Sequence, residues 1–432
     1  MKRPFRHRRS PLVRMLSPLR DFLATEASGA ILIGIAAVAA LIWANSPLRH
    51  SYDTLWSSHV SFTAGGRSLS LDLRHWINDG LMTIFFFVVG LEIKREMTDG
   101  HLASRRSAAL PIIAALGGML MPALIYLAVA GRSDPRGWAI PMATDIALAI
   151  GVLAVAGDRV PAQLRAFLLG LAIVDDIGAI IIIAAVYTTN TRWWWLVAAE
   201  AVIAVAYVVR RLKIISVAIY VVLGVVAWYC LLRAGIHPTL AGVAMGLIAP
   251  ATPRIHPEFV DIEQLTDLSD VEAARSTTQI AKGSVSVVEW LQHALHPWTS
   301  YVIVPTFALA NSGIAISGSG LNAALRSPIT WGVLAGLVLG KPIGVLLAAR
   351  LSVGSGLAER PAESSSRQML GIGTAAGIGF TVALFITDLA FDDPLKRSDA
   401  KLAILVASLL AAALSSLLLR TRRRLPEISA AG

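Results

Sequence analysis

From Ala27 to the C-terminus the sequence is a succession of apolar runs, each long enough to cross a hydrocarbon core about 30 Å thick. That repetition makes the chain an all-α polytopic membrane protein. Composition agrees. Of its 432 residues 55% are hydrophobic and 15% charged, whereas soluble domains average about 25% charged.

The apolar pattern gives twelve spans, near residues 28–45, 77–92, 108–130, 138–156, 162–187, 194–209, 214–232, 237–250, 289–314, 329–350, 368–391 and 399–420. The tail at 1–27 is basic (Lys2, Arg3, Arg6, Arg8, Arg9, Arg14, Arg20). The run after it is span-length and lacks an A-x-A-like exit, so it reads as a span and not as a cleaved signal peptide. With the N-terminus inside, inward segments collect about 26 Lys and Arg against about 11 outside, the bias of a correctly oriented chain. Both termini are then cytoplasmic, 28–420 is the transmembrane domain and 421–432 a cytoplasmic tail. A net charge of +10 could suggest nucleic acid. The bases are spread over loop after loop without interleaved aromatics, so topology accounts for them and no nucleic acid is expected. The outer segment 58–72 alternates around Gly65-Gly66 like a β-hairpin. The inner segment 251–288 is acidic and reads as an insertion with one short surface helix. The single cysteine, Cys230, excludes an intrachain disulfide and a cysteine-based metal cluster.

Against that background the charges stand out. Asp175 and Asp176 are adjacent inside the otherwise apolar run Phe167–Val186, where one carboxylate costs roughly 2.5–3.5 kcal/mol on insertion scales. Asp79, Asp145, Glu200 and Lys341 also fall within spans, while Glu92 and Asp388 sit near span ends where snorkelling explains a charge cheaply. Glu200 lacks polar neighbours on its helix, so interhelical packing explains it as well as function does. Neighbouring residues on a helix point about 100° apart, so the two aspartates cannot form one symmetric dyad. Lys341, in Gly340-Lys-Pro-Ile-Gly344, is the only cation expected deep in a span, and a buried lysine needs a carboxylate. Two spans look broken: Ala139–Ile146 carries Pro141 and the Thr144-Asp145 pair, and Gly371–Thr381 carries four glycines. The glycines could equally serve close helix packing, yet unwound backbone at membrane depth survives where it is buried or lines a cavity.

Carboxylate, hydroxyl and carbonyl oxygens suit a hard cation such as Na⁺. Burial of a carboxyl favours its neutral form, so proton and cation can compete for one group near neutral pH. If each excludes the other, and only a loaded site changes sides, exchange follows without covalent chemistry or cofactor. The chain is read as a transporter and not as an enzyme.

The strings Trp76–Glu96, Ala143-Thr-Asp-Ile-Ala147, Leu171-Ala-Ile-Val-Asp-Asp-Ile-Gly-Ala-Ile180, Gly340-Lys-Pro-Ile-Gly344 and Gly377-Ile-Gly-Phe-Thr381 resemble those of NhaA Na⁺/H⁺ antiporters, in order over about residues 25–420. The resemblance implies twelve helices in inverted repeats with two unwound, crossing helices. The rule that paired broken helices mark a midplane site was drawn in part from this family, so it is no independent support here. The resemblance also implies electrogenic, pH-regulated exchange of cytoplasmic Na⁺ or Li⁺ for external H⁺ in a bacterial plasma membrane, serving pH and sodium homeostasis. Asp176 would be the principal cation and proton ligand, with Asp175 and Thr144 completing the Na⁺ site, and Lys341 would pair with Asp175. Asp145 would compensate helix-end charge beside Gly377 and Gly379, and Asp79 would line the pathway. Glu92, Arg95, Glu96, His293 and His296 would sense pH at the cytoplasmic mouth. His237 matches a family histidine and, being lone, reads as structural. The outer hairpin would support a homodimer embedded in lipid. Gln292 stands where an acid is expected, the 251–288 loop is long, and the first twenty residues are unusually basic; none of these touches the transport strings.

Two other classes compete. An intramembrane aspartyl protease would need two aspartates on different helices and a Gly-x-Gly-Asp string, which is absent, and would leave Lys341 unexplained. A Na⁺-coupled carrier of an organic anion would need a further cationic pocket.

Overall fold

The computed structural model describes residues 27–64, 67–100, 102–157, 160–188, 191–214, 216–252, 285–361 and 364–420. The basic N-terminal tail, the Gly65-Gly66 tip, most of the acidic loop with its expected helix, and the C-terminal tail lie outside them.

The described chain is helical apart from one hairpin. Helix α1 (Ala27–Ala44) is followed by a short α2 (Arg49–Ser57) and by antiparallel β1 (His59–Ala64) and β2 (Arg67–Asp72), in register His59↔Asp72. Helix α3 (Leu73–Thr98) starts under the hairpin, with Asp72 accepting the His75 N–H as its cap. Helix α4 (Arg105–Ala130) returns, and a 3₁₀ helix (Pro135–Met142) and α5 (Ile146–Ala156) form the next span in two pieces. Then come α6 (Ala162–Val186), α7 (Trp193–Arg211), α8 (Val217–Ala234), α9 (Thr239–Ile248), α10 (287–311), α11 (Gly318–Arg326), α12 (Pro328–Gly354), α13 (Ser366–Ala376), α14 (Phe380–Ala390) and α15 (Pro394–Leu419).

Nine described helices are long and apolar enough to span, or ten if α13 and α14, bent by 45° at their break, count as one. The expected spans at 237–250 and 289–314 emerge as the 10-residue α9 and as α10, which is interrupted by a π turn at Thr299–Ile303. The apolar pattern therefore overstates the helical length of α9 and misses the π turn inside α10, whose bounds it otherwise gives closely.

Two ends can be told apart. Lys396 at the start of α15 lies 2.5 Å from Asp134, just past the end of α4, and α3 begins at the hairpin, so these share one end. Arg106 at the start of α4 pairs with Glu359 beyond α12, which defines the opposite end. Helices α7 and α8 are the least buried spans, with Trp193, Trp194, Val197, Val221 and Val225 exposed, and form a face suited to lipid. Glu200 is exposed on α7 and does not point into the bundle.

Helices α4 and α12 approach to backbone contact. A Cβ on Gly344 would lie 2.1 Å from the Gly117 carbonyl oxygen, so no larger residue fits there without moving a helix. That contact lies three residues from Lys341.

Candidate functional site

The break at 143–145 and the break at 377–379 touch. The Asp145 N–H donates to the Ile378 carbonyl at 2.6 Å, and the Thr144 hydroxyl donates to the Ala376 carbonyl at 2.8 Å. Gly379 eases this approach, since a Cβ there would sit a tight 3.0 Å from the Ala143 carbonyl oxygen. One added to Gly377 would meet the Leu337 carbonyl oxygen at 2.5 Å.

Four helix ends meet at the contact, and their unpaired groups decide which charges belong there. Asp145 serves the N-terminal ends. Its Oδ1 accepts the Leu148 N–H at 3.0 Å in α5, and its Oδ2 accepts the Thr381 N–H at 3.0 Å and hydroxyl at 2.7 Å in α14. Lys341 serves a C-terminal end by donating to the Met142 carbonyl, where the 3₁₀ helix stops. One carboxylate and one ammonium thus meet the ends whose partial charges they oppose.

Lys341 is wholly buried, and its Nζ also lies 2.7 Å from Asp175 Oδ2. A π turn at Gly336–Gly340 immediately precedes it, and such turns frequently mark functional sites. The Thr144 hydroxyl reaches the same Asp175 Oδ2 at 2.7 Å. It has one proton to share between that carboxylate and the Ala376 carbonyl. Asp175 Oδ1 is buried without a hydrogen-bond partner among the described residues. Asp176 is buried as well, makes no hydrogen bond among the described residues, and feels the charges of Glu92, Asp175, Asp145 and Lys341. Oxygens with free lone pairs, grouped around one lysine, form a donor set for a hard cation or a proton.

Asp79 sits in another π turn, Trp76–Leu81 of α3. Its carbonyl accepts from Trp228 Nε1 at 2.8 Å and from the Thr83 hydroxyl. Its carboxylate lies 3.7 Å from His237 Nε2, whose Nδ1 is 2.8 Å from the Thr239 hydroxyl. His237 is therefore not a lone histidine: it faces the Asp79 carboxylate and the Thr239 hydroxyl. At the opposite end Arg95 reaches Gln292 at 3.4 Å, Glu96 is buried, Glu92 is half-buried, and His293 and His296 are exposed on α10.

A further ion pair, between the buried Lys401 and the half-buried Asp388, goes unmarked in the sequence. Lys401 Nζ lies 2.8 Å from Asp388 Oδ1, with side-chain exposures of 11% and 15%. Lys341 is thus not the only buried cation, and Asp388 is paired, not snorkelling. Asn78 and Asn311 adjoin that pair. Being neutral, neither carries an energetic flag in the sequence.

With this geometry in hand, the comparison with known proteins is specific. Residues 20–419 match the family described as Na⁺/H⁺ antiporter 1. The chain belongs to that family. The Na⁺/H⁺ antiporter NhaA 3 of Frankia alni is 43% identical over 415 residues, covering 95% of this chain and 89% of the relative. The Na⁺/H⁺ antiporter NhaA of Oleidesulfovibrio alaskensis is 44% identical over 437 residues, covering 96% and 97%. The resemblance of the chain to NhaA antiporters is thereby borne out. A solved sodium proton antiporter, MjNhaP1 of Methanocaldococcus jannaschii, aligns over 94% of this chain and 100% of its own, at 16% identity and a TM-score of 0.49. That likeness is too low to carry its fold or chemistry over. As a family member, the chain is a multi-pass membrane protein of a Na⁺/H⁺ antiporter family.

Proposed function

We propose that the protein exchanges cytoplasmic Na⁺ or Li⁺ for external H⁺, electrogenically and under pH control, in a bacterial plasma membrane with both termini cytoplasmic. The observation that carries this reading is the sharing of Asp175 Oδ2 between Lys341 and Thr144, beside an Oδ1 and an Asp176 that are unbonded among the described residues. Na⁺ would be held by Asp176 with Asp175 and Thr144, and would compete with Lys341 for Asp175. With both carboxylates ionised and Lys341 charged, the site carries one net negative charge, which a single Na⁺ neutralises. A proton on Asp176 does the same, so ion and proton replace one another. The Asp175–Lys341 pair offers a second place for proton exchange, which supports an unequal count of charges moved in each direction.

Asp145 would hold the crossing together between Gly377 and Gly379 while the site changes sides, and Asp79 would line the path. Glu92, Arg95, Glu96, His293 and His296 lie at the end opposite the hairpin and would set the pH response, and the hairpin would join two copies into a homodimer. The cycle moves ions without a covalent step, so transport needs neither a cofactor nor an enzymatic reaction. The test uses everted membrane vesicles with an acid interior. Adding Na⁺ or Li⁺ across pH 6 to 9 is expected to dissipate ΔpH, with K⁺ as the comparison cation, and Asp176→Asn to abolish the response. Full exchange by Asp176→Asn would remove this assignment.

A further inference from the structure

The hairpin end of the bundle holds polar groups that the central site does not use. Asp388 of α14 binds Lys401 of α15 through Oδ1 at 2.8 Å. Among the described residues its Oδ2 meets only the Asn78 amide, at 3.4 Å, the far limit of a hydrogen bond. Asn78 is also 3.4 Å from Asn311 Oδ1, and Asn311 Nδ2 donates to Asn78 Oδ1 at 2.8 Å and to the Phe307 carbonyl at 3.0 Å. Four elements contribute: the π turn of α3, α10, α14 and α15.

The position is as informative as the chemistry. Asn78 immediately precedes Asp79 in the π turn. Asp388 follows Thr381, which touches Asp145, by seven residues of α14, about 10 Å toward the hairpin end. Lys401 lies about 10 Å inside α15 from Pro394. The group therefore sits between the crossing and the surface at that end.

A packing role explains little here. Buried ion pairs contribute no more to stability than apolar side chains of similar volume, and packing α14 on α15 gives no reason for two carboxamides. The arrangement instead repeats the central one: an aspartate with one oxygen on a lysine, the other oxygen loosely held, and neutral oxygen donors alongside. Oxygen donors of this kind suit a hard monovalent cation. Asp388 and Lys401 cancel, and Arg74 and Arg397 also face Lys401, so an arriving cation finds no net negative charge and is held weakly and released.

We propose that Asp388, restrained by Lys401 and flanked by Asn78 and Asn311, is an outer station that the transported cation occupies between the central site and the hairpin-side surface. This rests on the antiport reading above.

The test measures the half-saturating Na⁺ concentration from each face, in everted and in right-side-out vesicles. Asp388→Asn is expected to raise the outer-face value about three- to tenfold, the scale of one lost charge-assisted contact. The inner-face value should move by less than about twofold. Lys401→Met, which frees Asp388 for the cation, is expected to lower the outer-face value. The double variant Asp388→Asn with Lys401→Met removes both charges and so keeps the fold; it should behave like Asp388→Asn alone. Equal shifts at both faces, or an unchanged outer-face value in the double variant, would overturn the station. Absence of any Na⁺-dependent proton flux in the unaltered protein would instead overturn the antiport reading.

Discussion

Lys341 is wholly buried, and among the described residues Asp175 is the acidic group within ion-pair distance of its ammonium. Removing one member of such a pair strands the other, at a cost of about 3–5 kcal/mol. Lys341→Ala should therefore unfold at a clearly lower temperature in detergent, while Lys341→Met combined with Asp175→Leu should recover most of the loss. Equal unfolding temperatures for Lys341→Ala and the unaltered protein would show that the pair contributes nothing to the fold. At this scale much of the central site could be read in advance, because a charge in an apolar run is anomalous whatever the fold. Asp388 and Lys401 could not. Both lie close enough to predicted span ends for snorkelling or a loop to account for them, and only the packing of α14 on α15 shows that they meet. The contact of Asp79 with His237 likewise depends on how α3 and α9 lie together, which no local pattern encodes.

At the level of elements, glycines decide how closely helices approach the site. A methyl group on Gly344 would fall 2.1 Å from the Gly117 carbonyl oxygen and 2.8 Å from Met121 Cβ, so α12 must move off α4 and carry Lys341 with it. Gly344→Ala is expected to destabilise by about 1–3 kcal/mol, the range for overpacking, and to slow Na⁺-driven proton flux. Gly34, exposed on α1 with nothing within 4 Å of an added Cβ, is the matched control. Gly34→Ala should instead stabilise by about 0.5–1 kcal/mol through helix preference. Thermal unfolding of both variants compares the two effects, and equal behaviour would mean that the close approach is not what Gly344 provides. Pro141 and the glycines of 371–379 made both helix breaks legible in the sequence. Which carbonyl each break offers, and that Thr144 reaches Ala376 while Asp145 reaches Ile378 and Thr381, follows only from the contact between them.

For the whole molecule, the two ends of the bundle differ in what they display, and the sidedness of transport depends on which of them faces the cytoplasm. The hairpin, Asp134 and Lys396 share one end; Arg106 and Glu359 mark the other. The proposed cytoplasmic placement of the Arg106 end rests on the excess of Lys and Arg in the segments on that side, because basic loops are retained in the cytoplasm during insertion. The chain has a single cysteine, Cys230, which is buried, so Cys230→Ser gives a background for site-directed labelling. In it, Ser61→Cys on the exposed face of the hairpin should react with a membrane-impermeant maleimide in right-side-out vesicles and be protected in everted ones. Glu359→Cys should do the reverse. The same result would put the half-buried Glu92 and exposed Arg95 at the cytoplasmic face and the Asp388–Lys401 pair toward the opposite one. If Ser61→Cys instead labelled only in everted vesicles, the basic segments would face outward. The ion pair would then lie on the entry side for cytoplasmic Na⁺, and the face whose Na⁺ affinity responds to Asp388→Asn would be exchanged.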